Sequence, residues 1–528
     1  VVAQSARLAA MVETGREGVP YDFVFPEVFH PDGRPERRGF DVVLGNPPWD
    51  AVRPKAKEFF ATLDVRILDA PTKRERLEIE KRLEADPAVV AARREYEGAI
   101  GRQQNAHERL FTNQMVELAG GKTGGDPDLA KLFAERYSHL VGMHGSVGAV
   151  VPSAFHANEG ATGVRQLYLE KMALRCCFSF ENRKKLFEIH SSFKFALVVA
   201  DRPGPTTEFP CAFYLHDMDW LFGDRSGREL RYSLDFVRRT GGEFLSLLEL
   251  RSAADLDAAE TCFQSGEPFG QVCERLGIRL GRELHMTDDS WRFTPAGMVL
   301  ANGEDPRDPA VAAGLLAAGY LVLHEGKTFH QFDDRWGDTP SYTVRMSALA
   351  DRGALFRPAS NFRLAFRDIA SSTNERTAIF AFLPPAVLGN KAPCERDVTR
   401  RPSSASLELA GTTNTFSFDF LVRLRVQATL NFFILLPTPM PPAVKSASRL
   451  LSHASLRLTC NHAGYAPLWH EQVGDAWREP SPPFTWPVLE GDDARWAVRA
   501  AIDAVVADAY GLSRSEYAHV LSTFSHKS

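Results

Sequence analysis

The chain has 528 residues, 44% hydrophobic and 24% charged, which is ordinary for a globular protein and long enough for two or three domains with sizeable cores. A formal net charge of −5 excludes polyanion binding driven by bulk charge, but leaves room for a local cleft of Arg and Lys. Seven cysteines, none spaced Cys-x-x-Cys, fit a reducing cytoplasm; no signal peptide is visible and no apolar run approaches membrane-spanning length.

Residues 1–50 read as a short helix, a Pro-containing loop and a strand, Phe40-Asp41-Val42-Val43-Leu44, that runs into Gly45-Asn46-Pro47-Pro48-Trp49. The residue types in that loop suit one kind of chemistry. An exocyclic amine on a nucleobase is a poor nucleophile because its lone pair is delocalised into the ring. Two acceptors aimed at its N–H bonds favour a more tetrahedral nitrogen. The Asn46 side-chain oxygen and the Pro47 carbonyl can be those acceptors. Pro47 and Pro48 lack N–H groups and fix φ, so the loop is stiff. Trp49 can stack on an extruded base. The plain alternative is a strand followed by a Pro-rich turn.

Residues 51–119 are polar and charge-dense, with Lys73-Arg74-Glu75-Arg76 and Glu80-Lys81-Arg82 at helical spacing, which predicts a helical insertion with a solvated face. Its rival reading puts Arg53, Lys55 and Lys57 on DNA phosphates. Gly120 to Gly125 lacks the offset glycine of a phosphate loop and follows no apolar strand, so it reads as a flexible turn. Val147–Val151 and Phe195–Ala200 are apolar runs expected of strands covered on both faces, and Cys176 and Cys177 are expected core thiols. With residues 40–44 they suggest the second half of a doubly wound sheet, whose sites form beyond strand C-termini. Residues 216–260 read as a linker.

Residues 261–490 are Pro-, Ser- and Thr-rich between short apolar runs, as in an irregular α/β domain. Within Arg363–Thr377, Arg363, Arg367 and Arg376 can pair with phosphates or guanine edges, and Ser371, Ser372, Thr373 and Asn374 can donate to phosphates; the alternative is a strand and a capped turn. His324 and His330 have no Cys or third His at ligand spacing, so no metal site is expected. Phe432–Leu436, cut off by Pro437, reads as a buried strand. Residues 491–528 carry an amphipathic helix pattern around Trp496, Val498, Ile502, Val505 and Val506.

Taken with these strings, the chain resembles the large N6-adenine DNA methylases of bacterial restriction–modification and phage-defence systems, with the type IIG, BREX and DISARM enzymes nearest in pattern. Tyr21–Phe29 looks like the segment before the catalytic strand, Asp128–Phe133 like the helix after it, Gly145–Ser153 like the next core strand, and Phe180–Phe195 like the hairpin closing the base pocket. Tyr320–Phe332 and Arg363–Thr377 resemble the target-recognition domain, and Tyr510–Phe524 the C-terminal ending. The resemblance implies an α/β fold: a partial Rossmann-like methyltransferase sheet in 1–215 with the insertion 51–119, the linker 216–260, a mixed α/β target-recognition domain in 261–490, and a helical segment in 491–528. It implies S-adenosylmethionine as cofactor, double-stranded DNA as partner, Asn46, Pro47, Pro48, Trp49 and Phe187 at the base, and Arg363, Arg367 and Arg376 at DNA. The family's Gly-rich cofactor turn lies upstream of the Asn-Pro-Pro segment, and residues before Gly45 form none. The expectation is therefore a truncated chain, or the C-terminal piece of a split enzyme completed by an N-terminal fragment or other defence-system subunits.

Three functions follow. The first is an adenine-N6 DNA methyltransferase component. The second is a non-catalytic DNA-binding chain that lost the cofactor half. The third is a protein-glutamine methylase, which uses a similar loop on an amide but needs no large domain after the core. A cytosine-N4 enzyme more often carries Ser at the position of Asn46.

Overall fold

The computed structural model describes residues 19–31, 33, 37–70, 72–118, 121–123, 127–301, 303–353, 359–371, 374–426, 428–442, 445–474, 489 and 491–524. The chain divides into two compact units, Val1–Arg251 and Ser252–Ser528. Both are α/β with mixed sheets, as the sequence leads one to expect.

The first unit is organised by six strands: β1 (Phe40–Gly45), β2 (Val141–Pro152), β3 (Ala173–Glu181), β4 (Lys194–Asp201), β5 (Glu208–Leu215) and β6 (Leu230–Ser233). Their spatial order is β1-β2-β4-β3-β5-β6. β1 runs parallel to β2, and β3 parallel to β5, while the β2–β4, β3–β4 and β5–β6 pairs are antiparallel. The apolar runs that predicted strands form them: Val147, Val151, Phe195, Val198 and Ala200 are buried, and so is Cys177. Strand direction has one consequence for function. The C-terminal ends of β1, β2 and β3 and the N-terminal end of β4 lie along one edge of the sheet, so segments distant in sequence meet there.

Two short helices, Tyr21–Val24 and Pro26–Phe29, carry an aromatic cluster onto β1: the rings of Tyr21, Phe25 and Phe29 lie 6.1, 5.3 and 5.3 Å from that of Phe40. The insertion is helical, with α1 (Lys73–Leu83) and α2 (Pro87–Leu110). It packs on its own small core, in which Phe60 and Ile67 are fully buried and Phe59 stacks on Tyr96 at 5.4 Å. Lys55 pairs with Asp50 and Glu58. The stretch read as a flexible turn is partly a strand: Gly121–Thr123 pairs antiparallel with Val116–Leu118, and residues 119, 120 and 124–126 lie outside the described residues. Helix α3 (Leu129–Leu140) begins where the Asp128 carboxylate accepts the Lys131 N–H at 2.8 Å, and it buries Leu132, Tyr137 and Leu140.

Residues 216–260, expected as a linker, are folded. They supply β6, which extends the sheet beside β5, then α4 (Leu234–Gly241) and most of α5 (Ala253–Ser265). The reason is visible in α4, where Leu234, Phe236 and Val237 are buried while Asp235 and Arg238 face outward. The polar residues that suggested a linker are only the outer face of these elements.

The second unit holds two four-stranded sheets. The strands of these two sheets are β7 (Leu280–Gly281), β8 (Phe293–Pro295), β9 (Tyr320–His324), β10 (Tyr342–Arg345), β11 (Arg363–Phe366), β12 (Phe380–Leu383), β13 (Val387–Leu388) and β14 (Cys394–Glu395). One sheet has the order β7-β14-β11-β12 and the other β8-β10-β9-β13. Around them pack α6 (Ser403–Thr413), α7 (Phe416–Arg423), α8 (Lys445–Thr459), α9 (Gly491–Tyr510) and α10 (Arg514–Ser522). The run expected as a buried strand is a helix instead, Phe432–Leu435, because the Asn431 side chain caps it by accepting the Ile434 N–H at 3.0 Å. On α9, Ile502 and Val506 are buried and Trp496 is exposed.

His324 sits at the end of β9, buried, with Nδ1 2.9 Å from Thr328 Oγ1. Burial pushes its pKa down to about 4, Arg307 adds to the shift, and Asp334 and Asp305 oppose it. The unfolded chain takes up this proton near pH ~6.5, so stability is full above that pH and falls as pH drops toward about 4. Thermal melts of the wild type and of His324→Gln across this window should show the wild type losing stability more steeply. Parallel curves would count against the assignment.

Candidate functional site

β1 ends at Gly45 under the Tyr137 hydroxyl of α3; a Cβ at Gly45 would lie 2.2 Å from that oxygen, so any larger residue would have to displace the Tyr137 side chain. The chain then runs through Asn46, Pro47, Pro48 and Trp49 and is pinned again by the start of α3. There the Leu129 N–H donates to the Asp50 carbonyl at 2.9 Å and the Val52 N–H to the Pro127 carbonyl at 2.7 Å. Pro47 is buried, while Asn46 and Pro48 are exposed. Neither the Asn46 side chain nor the Pro47 carbonyl has a hydrogen-bond partner among the described residues. Two free acceptors thus sit on a loop held at both ends, beyond the C-terminus of a strand.

Trp49 turns from this loop onto the β3–β4 connection. Its ring is 5.8 Å from Phe187 in an edge-on arrangement, 5.7 Å from Phe193 and nearly parallel to it, and 6.4 Å from Phe195. Trp49 Nε1 is buried without a hydrogen-bond partner, a group that ordinarily costs about 1–3 kcal/mol to leave unsatisfied. The structure therefore brings together Asn46, Pro47, Pro48, Trp49 and Phe187.

Three residues not singled out from the sequence complete this corner. Phe193 and Phe195 alternate on one face of the strand start, a period-2 signal that was legible in Phe193-Lys194-Phe195. Asn182 was not legible. Fully buried, it donates Nδ2 to the carbonyls of Phe187 and Ile189, each at 2.9 Å, and accepts the Phe187 N–H on Oδ1 at 3.0 Å. One amide thus shapes the loop that presents Phe187. Between the two phenylalanines, Lys194 turns to the other face and pairs with the buried Glu249 at 2.6 Å, which also meets His156 Nε2 at 3.1 Å. Burial would raise the Glu249 pKa, but the His156 hydrogen bond and the Lys194 charge outweigh it and hold the carboxylate at about 2.

The three arginines expected at DNA fare differently. Arg363 is 1% exposed and bonded to Glu283 at 2.6 Å, with further bonds to the Ala386 and Glu395 carbonyls. Arg376 is buried and bonded to Asp419 at 2.7 Å and to the Asn414 carbonyl. Both are consumed by the fold, because each neutralises a carboxylate buried beside it; neither is available to DNA. Arg367 is half-buried and donates Nε to the Phe329 carbonyl at 3.0 Å. The Ser371 carbonyl accepts the Thr377 hydroxyl at 2.9 Å, while Ser372 and Thr373 lie outside the described residues.

The described residues do not fit a whole S-adenosylmethionine site. β1 pairs with β2 on one side and with no strand on the other among the described residues, and Val42 and Leu44 are 64% and 82% exposed. No Gly-rich strand-to-helix turn lies beside this open edge among the described residues.

No family profile matches the chain, and no curated protein sequence does. Among solved structures it is similar to the type IIL restriction-modification enzyme MmeI in complex with DNA, at 9% identity over 96% of this chain and 58% of that one, with a TM-score of 0.42. It is also similar to DrdV in a DNA complex (11% identity, 82% and 45% of the chains, TM-score 0.38) and to the type IIG restriction endonuclease BpuSI (10% identity, 77% and 52%, TM-score 0.27). The chain thus spans a little over half the length of MmeI.

Proposed function

We propose that this chain is a component of a site-specific DNA methyltransferase acting on adenine N6 in a restriction–modification or phage-defence system. The observation that carries this reading is the Asn46–Trp49 loop: two acceptors at a strand terminus with no partner among the described residues, beside an indole packed against Phe187 and Phe193. Asn46 Oδ1 and the Pro47 carbonyl accept the two N–H bonds of the exocyclic amine and free its lone pair. Trp49 and Phe187 hold the extruded base. The methylated amine is cationic and sheds a proton, so no side chain is required as a general base. S-adenosylmethionine supplies the methyl group when bound.

The test is incubation of duplex DNA with labelled S-adenosylmethionine, followed by nucleoside analysis. N6-methyladenine is the expected product; label on cytosine or on protein glutamine instead would replace the reading.

The open edge of β1 favours a specific form of it, in which another polypeptide segment supplies the cofactor contacts. The 528-residue chain by itself should then bind S-adenosylmethionine weakly or not at all. Calorimetric titration measures this, and micromolar affinity for the isolated chain would reveal a cofactor site among its own residues.

Replacement of Phe187 tests the clamp. Stacking on an aromatic is worth roughly 1–3 kcal/mol per base, against the few kcal/mol needed to unstack one. Phe187→Ala should therefore reduce the fluorescence rise of a duplex carrying 2-aminopurine at the target position and cut turnover, with a smaller effect on DNA affinity. Turnover equal to the wild type would remove Phe187 from the site.

A further inference from the structure

In the second unit the loop after β9 turns three backbone carbonyls toward three arginines from different parts of the chain. The Phe329 carbonyl accepts Arg367 Nε at 3.0 Å, the Gln331 carbonyl accepts Arg499 Nη2 at 3.1 Å, and the Phe332 carbonyl accepts Arg495 Nη2 at 3.5 Å. Arg495 also donates Nη1 to the Leu458 carbonyl at 3.0 Å. Arg495 and Arg499 are one turn apart on α9, and Arg367 follows β11.

Carbonyls accept hydrogen bonds but do not neutralise charge. No carboxylate among the described residues lies within ion-pair distance of Arg367, Arg495 or Arg499. Acids act on the cluster from beyond that distance, Asp333 and Asp492 on Arg495 and Asp503 and Asp333 on Arg499; of these, Asp333 takes the Arg335 N–H at 2.9 Å and faces Asn461, and Asp503 takes the Phe416 N–H at 2.7 Å. Burial pushes the Asp503 carboxyl up to about 6. Burial pushes Arg499 down to about 10, and its Nε is buried without a partner. Burial, and then the charges of Arg367, Arg499 and Arg376, push His330 down to about 3.

Three guanidiniums gathered on one loop with no directly ion-paired carboxylate among the described residues repel one another and lose hydration, a cost that a bound anion would offset. The loop itself is strained: Phe332 has φ +58°, a conformation that side-chain-bearing residues rarely take outside functional segments. Two indoles flank the cluster. Trp336 is 52% exposed with its ring 4.7 Å from His330, and Trp496 is 50% exposed with Arg499 5.3 Å above its ring. Half-exposed indoles beside guanidiniums that have no directly ion-paired carboxylate among the described residues suit a phosphate chain that carries stackable bases better than an isolated small anion.

We infer that Arg367, Arg495 and Arg499, with Trp336 and Trp496, form a binding site for the phosphodiester backbone of a nucleic acid, centred on the Phe329–Phe332 loop. This deepens the proposed DNA role but rests on the geometry of the second unit alone. It keeps Arg367 from the sequence reading and replaces Arg363 and Arg376, which the fold consumes, with Arg495 and Arg499, which that reading passed over.

The test uses the full chain and a labelled duplex, with affinity measured by fluorescence anisotropy at a series of KCl concentrations. Arg495→Gln/Arg499→Gln should weaken binding roughly tenfold or more at low salt and lower the slope of log K on log salt by about 2, since each phosphate contact contributes nearly one unit. Arg499→Lys should keep the wild-type slope, and Arg93→Gln on α2 should change nothing. If the double variant does not fold, Arg367→Gln, on another element, carries the same test with a slope change of about 1. Unchanged slopes in folded variants overturn the site while leaving the Asn46 chemistry standing. Complete displacement of the duplex by inorganic phosphate, at an ionic strength where chloride does not displace it, assigns the site to free phosphate and overturns the nucleic-acid reading. A wild-type chain that binds no duplex overturns both this site and the DNA role.

Discussion

Asn46→Ala should abolish methyl transfer, by about a hundredfold or more, the scale set by removing one preorganised hydrogen-bonding group at a reacting centre. The assay is transfer of labelled methyl to duplex DNA in an active preparation, with any cofactor-binding partner that the activity requires. Two features make the result interpretable. Asn46 is exposed and makes no hydrogen bond among the described residues, so its truncation should leave the melting temperature unchanged. DNA affinity should also hold nearly constant, because most affinity comes from phosphate contacts rather than from the reacting amine. A variant that methylates within a few-fold of the wild type would remove Asn46 from the chemistry.

Arg363→Met should destabilise the second unit by about 3–5 kcal/mol, because it leaves the Glu283 carboxylate buried and uncompensated. The geometry leaves that carboxylate few alternatives. It takes two bonds from Arg363, at 2.6 and 3.2 Å, and the Leu388 N–H at 3.0 Å, and its side chain has no exposed surface. The neighbouring Glu395–Arg401 pair, also buried, takes Ser406 and the Leu364 N–H, so the loss would spread along β11 and β14. The expected drop in melting temperature is on the order of 10 °C. Arg363→Met/Glu283→Leu should recover much of the loss, since replacing both partners by apolar groups removes the stranded charge. Circular dichroism melts measure both. Arg363→Met melting like the wild type while losing DNA affinity would restore Arg363 to the interface.

Phe187 and Arg363 show opposite fortunes for residues picked from sequence. Trp49 and Phe187 carry aromatic chemistry, and the strand order β1-β2-β4-β3 brings their loops to one edge of the sheet, where the rings meet at 5.8 Å. Arg363 carries a charge that suits a phosphate or a buried carboxylate equally well, and residue type does not separate the two. What separates them is Glu283, distant in sequence and invisible to any local pattern. The same limit applies to Phe432–Leu435, where an apolar run of this length suits strand or helix and the Asn431 cap selects helix.

The sequence by itself determined the local terms: the continuous apolar runs of β2 and β4, the stiffness of Asn46-Pro47-Pro48, the helical charge spacing of the insertion and the α/β class that follows. Those properties depend on residues within a few positions of each other. Only the tertiary structure decided the non-local ones. It set Asn182 as the clamp on the Phe187 loop, left β1 without a second strand partner among the described residues, buried Arg363 and Arg376 against carboxylates, and turned Arg367, Arg495 and Arg499 onto carbonyls. A charge's role depends on what the fold places beside it, and on how much water remains there, so it is fixed by packing rather than by local sequence.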